Sequence, residues 1–150
     1  MKGKIENLLK LDYSALDPFL QSHIFNYICV LESGFLEKEL QDMIDTYKTT
    51  AHCNRHDCKK QIESMKKIQN AKWCSIRPTL ANIDSGILEK LKSEFADFEQ
   101  ITGSIDNMVN TRHKVAHGNN VTTLTLQILK DDFNNIVQFT DKLRTIMDSL

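Results

Sequence analysis

Two prolines and five glycines among 150 residues leave this chain few places to turn sharply. That scarcity argues against an all-β fold with its frequent turn signals, and favours long elements. No apolar run reaches the roughly eighteen residues a membrane span needs, so none is expected. Neither sign of charge is in excess: nineteen basic and twenty acidic side chains give a formal net charge of −1. A protein that coats nucleic acid over a whole face carries a strong basic surplus. Any such contact here must be local. The four cysteines (Cys29, Cys53, Cys58, Cys74) are irregularly spaced. The opening Met1-Lys2-Gly3-Lys4-Ile5-Glu6-Asn7 lacks the apolar core of an export signal. Reduced thiols in a cytoplasm are therefore expected. Also missing are internal repeats, a phosphate-binding glycine loop, a nucleophile elbow and a dinucleotide fingerprint.

What is present is the make-up of a globular protein: 41% apolar and 26% charged residues, enough of the first to fold and of the second to stay in solution. The length favours a single domain over residues 1–150, burying about 70% of the surface of the unfolded chain. From about Asp17 to Thr49 the pattern reads as one long helix. Ile24, Ile28, Leu31 and Phe35 form a stripe at spacings of three and four, and Val30, Leu40, Ile44 and Tyr47 a neighbouring one. Asp17 before Pro18 is a start signal. Ser33 and Gly34 either let another helix approach closely or bend this one.

Residues from Cys53 to about Asn70 read as a helix with a solvated face. Asn70 to Asn82, with Trp73 and Pro78, reads as a short helix or connection, and Asp84-Ser85-Gly86 as a turn. An amphipathic run follows through Ile87, Leu88, Leu91, Phe95 and Phe98, to be broken or ended at Gly103. A further helix carries Ile105, Met108, Val109 and Val115. Gly118 stops it, since a helix end often needs the left-handed backbone that glycine adopts. Val121 to Thr125 is β-branched and suits extended chain, and a final helix starts at about Leu126. The sum is an all-α domain, a bundle of four main helices plus short pieces.

The densest chemistry is in Thr111-Arg112-His113-Lys114-Val115-Ala116-His117-Gly118. An arginine, a polar neighbour and a second histidine fall within about one and a half helical turns. On an ideal helix Arg112 and His117 stand about 7.5 Å apart along the axis and roughly 140° apart around it. They do not share one face. Either the last turn distorts toward Gly118, or the two groups work with partners from another surface. The bland alternative pairs Arg112 with a core acid and makes His117 a helix-end residue favoured by the dipole.

Arg-x-x-x-x-His with a polar residue after the arginine, closing in Ala116-His117-Gly118, resembles the motif of HEPN domains. The segment HIFNYICVLESGFLEKEL (23–40) resembles the long helix of the RiboL-PSP type, with its Ser-Gly-Phe-x-Glu-like core at 33–37. The segment NTRHKVAHGNNVT (110–122), followed by a last amphipathic helix, continues the likeness, which runs from about Ser22 to Met147. The resemblance implies an all-α bundle that dimerises and brings two motifs together in a cleft. It also implies a metal-independent endoribonuclease, often a toxin or defence effector, with RNA as substrate, no cofactor and an antitoxin as a possible partner. By the same likeness Arg112 and His117 match the catalytic pair and His113 the supporting position, where asparagine is commoner.

The chemistry agrees. A ribose 2′-hydroxyl attacks its own phosphate when a base takes its proton, and histidine, with an ordinary pKa near 6.5, suits that task. An arginine fork stabilises the charge that grows on the phosphate. A helical module that binds RNA or protein without cutting is the alternative from another class.

Glu37 shares a stripe with Val30, Ser33, Leu40 and Ile44, where a charge needs a partner. It either orients Arg112 or a motif histidine, or reaches water from the edge. His52 and His56 share a helical face near Cys53 and Cys58, which is metal-like at first sight. The two cysteines point apart, however, and no second cluster completes a site. No metal is expected, and Arg55, Lys59 and Lys60 make a polar helix start. Lys66-Lys67 reads as a solvated face, Trp73 and Cys29 as packing. Asp131-Asp132 is ascribed to the dipole of the last helix.

Overall fold

The aspartate–proline pair does open the longest element. Asp17 Oδ1 accepts the Phe19 N–H at 2.8 Å, and Pro18 takes the first helical position, where its missing N–H costs nothing. The structure is a computed structural model, described for residues 1–49, 68 and 70–150. Over those residues the chain is all-α, with six helices and no strand: α1 (Lys2–Leu9), α2 (Pro18–Thr49), α3 (Trp73–Ile83), α4 (Ile87–Ser93), α5 (Phe98–Ala116) and α6 (Leu126–Asp148). The helix expected over about 53–70 lies outside the described residues, except for buried Ile68 and exposed Asn70.

Helices α2, α5 and α6 pack on one another; α1 lies on α2 and α6, while α3 and α4 join through α5 and α6 respectively. Leu36, Ile105, Val109, Phe139 and Leu143, one or two from each long helix, are wholly buried in a single cluster that also takes Ile76, Leu80, Ile87 and Leu91. Burying each such side chain contributes about 1.5–3 kcal/mol before the entropy of ordering is counted. Trp73 packs edge-on against Phe98 and Phe139, at centroid distances of 5.2 and 6.2 Å. The backbone N–H of Trp73 donates to Asp106 Oδ1 from α5 at 2.7 Å.

Several boundaries differ from the expectation. Gly103 neither breaks nor ends a helix; it lies inside α5. The break falls at Asp97, whose side chain accepts the Gln100 N–H at 2.9 Å, a local cap that outweighs the apolar spacing running from Leu91 to Phe98. Ser33 and Gly34 leave α2 unbroken, and it is Met1 at the start of α1 that comes near Gly34. Val121–Thr125 is extended only in part: residues 122–123 turn, while Thr125, at φ −118° and ψ 158°, is extended and caps α6 through the Ile128 N–H. Asp84-Ser85-Gly86 does turn, with Asp84 Oδ1 accepting the Gly86 N–H at 2.6 Å.

Candidate active site at the end of helix α5

Helix α5 carries the motif through Ala116, and His117 follows as its C-cap at φ −87° and ψ 15°, its N–H shared between the carbonyls of His113 and Lys114. Gly118 adopts φ +80°, and the N–H groups of Gly118 and Asn119 return to the carbonyls of Val115 and Lys114, each at 3.0 Å. A left-handed glycine is what such a closure favours. No hydrogen bond links Arg112 and His117 among the described residues. Of the two readings left open above, one called for partners from another surface.

Arg112 has such a partner. Its Nη1 donates to Asn70 Oδ1 at 2.9 Å, and the backbone N–H of Asn70 donates to Glu37 Oε1 at 3.0 Å. Asn70 holds φ +54°, a left-handed conformation that asparagine tolerates better than most residues. Glu37 thus reaches the guanidinium through one intermediary rather than directly. It is half-buried at the edge of α2. A guanidinium has five N–H groups, so engagement of Nη1 leaves donors for a further acceptor.

His113 and His117 lie one turn apart on the exposed side, ring centroids 4.3 Å from one another and inclined at 71°. The structure therefore collects Arg112 with Glu37 and His113 with His117, as two adjacent pairs and not as one cluster.

Across the helix end is an open cleft of about 350 Å³ between α2 and the chain that follows the motif, with His23, Asn26, Tyr27, Val115, Gly118 and Asn120 among its lining residues. Asn120 Oδ1 accepts from Ser22 Oγ at 2.8 Å and from Asn26 Nδ2, which ties the post-motif loop to α2. Asn26 is buried, and its Oδ1 has no partner. An orphaned buried acceptor costs about 1–3 kcal/mol. Composition and periodicity gave no hint of this pair, because nothing local relates residues 26 and 120.

Beneath the motif lies an acid that the sequence reading passed over. Glu32 is 0% exposed and neither carboxylate oxygen has a partner. Burial, and then the negative charge of Asp132, push its pKa up to about 9. Asp132 is itself raised, mainly by burial and also by Asp131, against the lowering effect of the Ser104 hydroxyl that donates to it at 2.5 Å. The dipole account of Asp131-Asp132 fails: neither lies in the first turn of α6, and Asp131 instead accepts from Gln127 at 2.9 Å. Cys29 is packing, as expected. Its thiol is pushed up to about 12 by burial first, then by Glu32 and Asp132, and it points at the Met108 carbonyl at 3.6 Å. The signal for Glu32 was available. It stands four residues from both Ile28 and Leu36, in the middle of the apolar stripe.

His52, Cys53, His56 and Cys58 lie outside the described residues, as do Arg55, Lys59, Lys60, Lys66 and Lys67. Among the described residues no three His, Cys, Asp or Glu side chains gather as a metal site, and no helix is long and apolar enough to cross a membrane.

Compared with known proteins, residues 3–149 match a family model, that of RiboL-PSP-HEPN. No curated protein and no solved structure matches the chain.

Proposed function

The chain belongs to the RiboL-PSP-HEPN family, and from that premise we propose that it is an endoribonuclease that cuts RNA by 2′-hydroxyl attack in the cleft of a homodimer. The observation that supports this most is the exposed His113–His117 ring pair beside a guanidinium already tethered through Asn70. Arg112 clamps the scissile phosphate and His117 moves protons. His113, packed on His117, holds that ring in place, and Glu37 steadies Arg112 by way of Asn70.

In the proposed step the 2′-oxygen bonds to phosphorus and its proton passes to one imidazole. The bond from phosphorus to the 5′-oxygen breaks, and that oxygen takes a proton from a second imidazole. The arginine fork stabilises the charge gathering on the phosphate oxygens. The scheme needs no metal ion. Because Arg112 and His117 diverge by roughly 140° on an ideal helix, a second copy of the chain completes the site. A toxin or defence role, with a cognate antitoxin as partner, belongs to the same proposal.

The test is cleavage of a mixed RNA pool in chelator. Wild type cuts; His117→Ala and Arg112→Ala cut about 10²–10⁴ times more slowly with an unchanged circular dichroism spectrum. Undiminished cleavage by His117→Ala removes that histidine from the mechanism. Binding without cutting by the wild type assigns the chain instead to non-catalytic helical modules that hold RNA or protein.

A further inference from the structure

The cleft across the end of α5 has the composition of a ligand site, and the endoribonuclease scheme leaves it unused. Its volume of about 350 Å³ falls in the range of small-ligand pockets. Its walls are mixed in a telling way. Tyr27 is 45% exposed, and the ring of His23 leans on Phe19 with centroids 4.2 Å apart. Val115 adds apolar surface. Of the three amides in the lining, Asn26, Asn119 and Asn120, Asn26 is the buried one, 6% exposed. Its Nδ2 is spent on Asn120, and its Oδ1 lacks a donor. Asn120, which holds that Nδ2, is exposed on the loop after the motif. Lys4 donates its ammonium to the hydroxyl of Tyr27 at 2.6 Å, so one of the lining rings carries a cation beside it.

An open cleft with aromatic lining, a buried amide and a cation bonded to its tyrosine has features that bind a nucleobase with its phosphate. Single-stranded RNA is read by stacking bases on aromatic rings and by hydrogen bonds to their exposed edges. Position matters too. Val115 lies about 160° around α5 from both His113 and His117 on an ideal helix, so the cleft and the histidine pair fall on opposite flanks of the same last turn. A base in the cleft belongs to a nucleotide neighbouring the scissile phosphate, not to the one being cut.

We infer that this cleft is a nucleobase pocket, in which Asn26 Oδ1 accepts an N–H of the base edge and Tyr27 and His23 pack on its face. Taking the ligand to be part of an RNA strand rests on the endoribonuclease reading; the pocket's chemistry does not.

The experiment uses the ¹⁵N-labelled full chain, titrated with the four nucleoside 5′-monophosphates and with ribose 5-phosphate as the base-free control. The expected result is saturable movement of the Asn26 and Asn120 side-chain amide signals and of the Gly118 backbone signal with at least one nucleotide, and none with ribose 5-phosphate. Asn26→Leu and Tyr27→Ala each weaken that binding about tenfold. If Asn26→Leu does not fold, Tyr27→Ala carries the comparison, because its ring is half in solvent. Equal responses to nucleotide and ribose 5-phosphate overturn the inference, as does the absence of any response. Signals that move with protein concentration alone also overturn it, and assign the cleft to a second copy of the chain. Nucleotide binding by protein that cuts no RNA sinks the nuclease reading and leaves the pocket standing. Cutting with silent Asn26 and Gly118 signals sinks the pocket alone.

Discussion

Replacing Glu32 by glutamine removes a titratable group from the middle of the bundle while keeping its shape. The carboxyl of Glu32 is 0% exposed, without a hydrogen-bond partner, and raised from 4.5 to about 9 chiefly by burial. Between those two values the folded chain holds a proton that the unfolded chain has released. Stability therefore falls as pH rises through this window, at about 1.4 kcal/mol per pH unit, and levels off only when the folded chain ionises as well. At pH 7 the accumulated loss is about 3 kcal/mol, a sizeable part of the stability of an ordinary domain.

Glu32→Gln abolishes that slope. Urea denaturation of both chains, from about pH 4 to about pH 9, should give midpoints that nearly coincide at the acid end. The variant then gains steadily and leads by about 3 kcal/mol at pH 7. Taking the difference between the chains cancels the titrations they share, including the upward shift of Asp132, whose first cause is its own burial. A difference that stays flat with pH would refute the reasoning, and would mean that Glu32 is ionised in the folded protein and that some cation or donor reaches it.

Two further outcomes concern the motif. Gly118→Ala places a side chain at φ +80°, so about 1–2 kcal/mol of stability should be lost in the same urea assay even though open space surrounds the position. Asn70→Ala cuts the link from Glu37 to Arg112 and should slow RNA cleavage by about tenfold or more, with a stability loss of up to about 1 kcal/mol because alanine suits φ +54° less well than asparagine. Glu37→Gln, whose amide oxygen still accepts the Asn70 N–H, should do less. Unchanged cleavage in both variants would leave Glu37 without a part in the site.

The long helices were legible in the sequence because their signals are local. Asp17-Pro18, Thr125 and Gly118 start or stop helices by hydrogen bonds within a few residues, and the apolar stripes name the buried faces. Gly103 misled for the converse reason. Glycine weakens a helix by about 1 kcal/mol, less than the burial of Ile101, Ile105 and Met108 on either side supplies. The motif was readable as a set of residue types, but its wiring was not. Asn70 joins Glu37 to Arg112, and Asn120 meets Ser22 and Asn26, through contacts that no periodicity encodes. Glu32 stands inside the stripe by its spacing, four residues from both Ile28 and Leu36, whereas Glu37 lies at the edge.

The most direct measurement on the central claim is the chemical identity of the ends left on cut RNA. Attack by the 2′-hydroxyl leaves a 2′,3′-cyclic phosphate and a 5′-hydroxyl, and an oligonucleotide methylated at every 2′-oxygen stays whole. Ends bearing a 3′-hydroxyl and a 5′-phosphate, or scission of the methylated strand, would contradict the account.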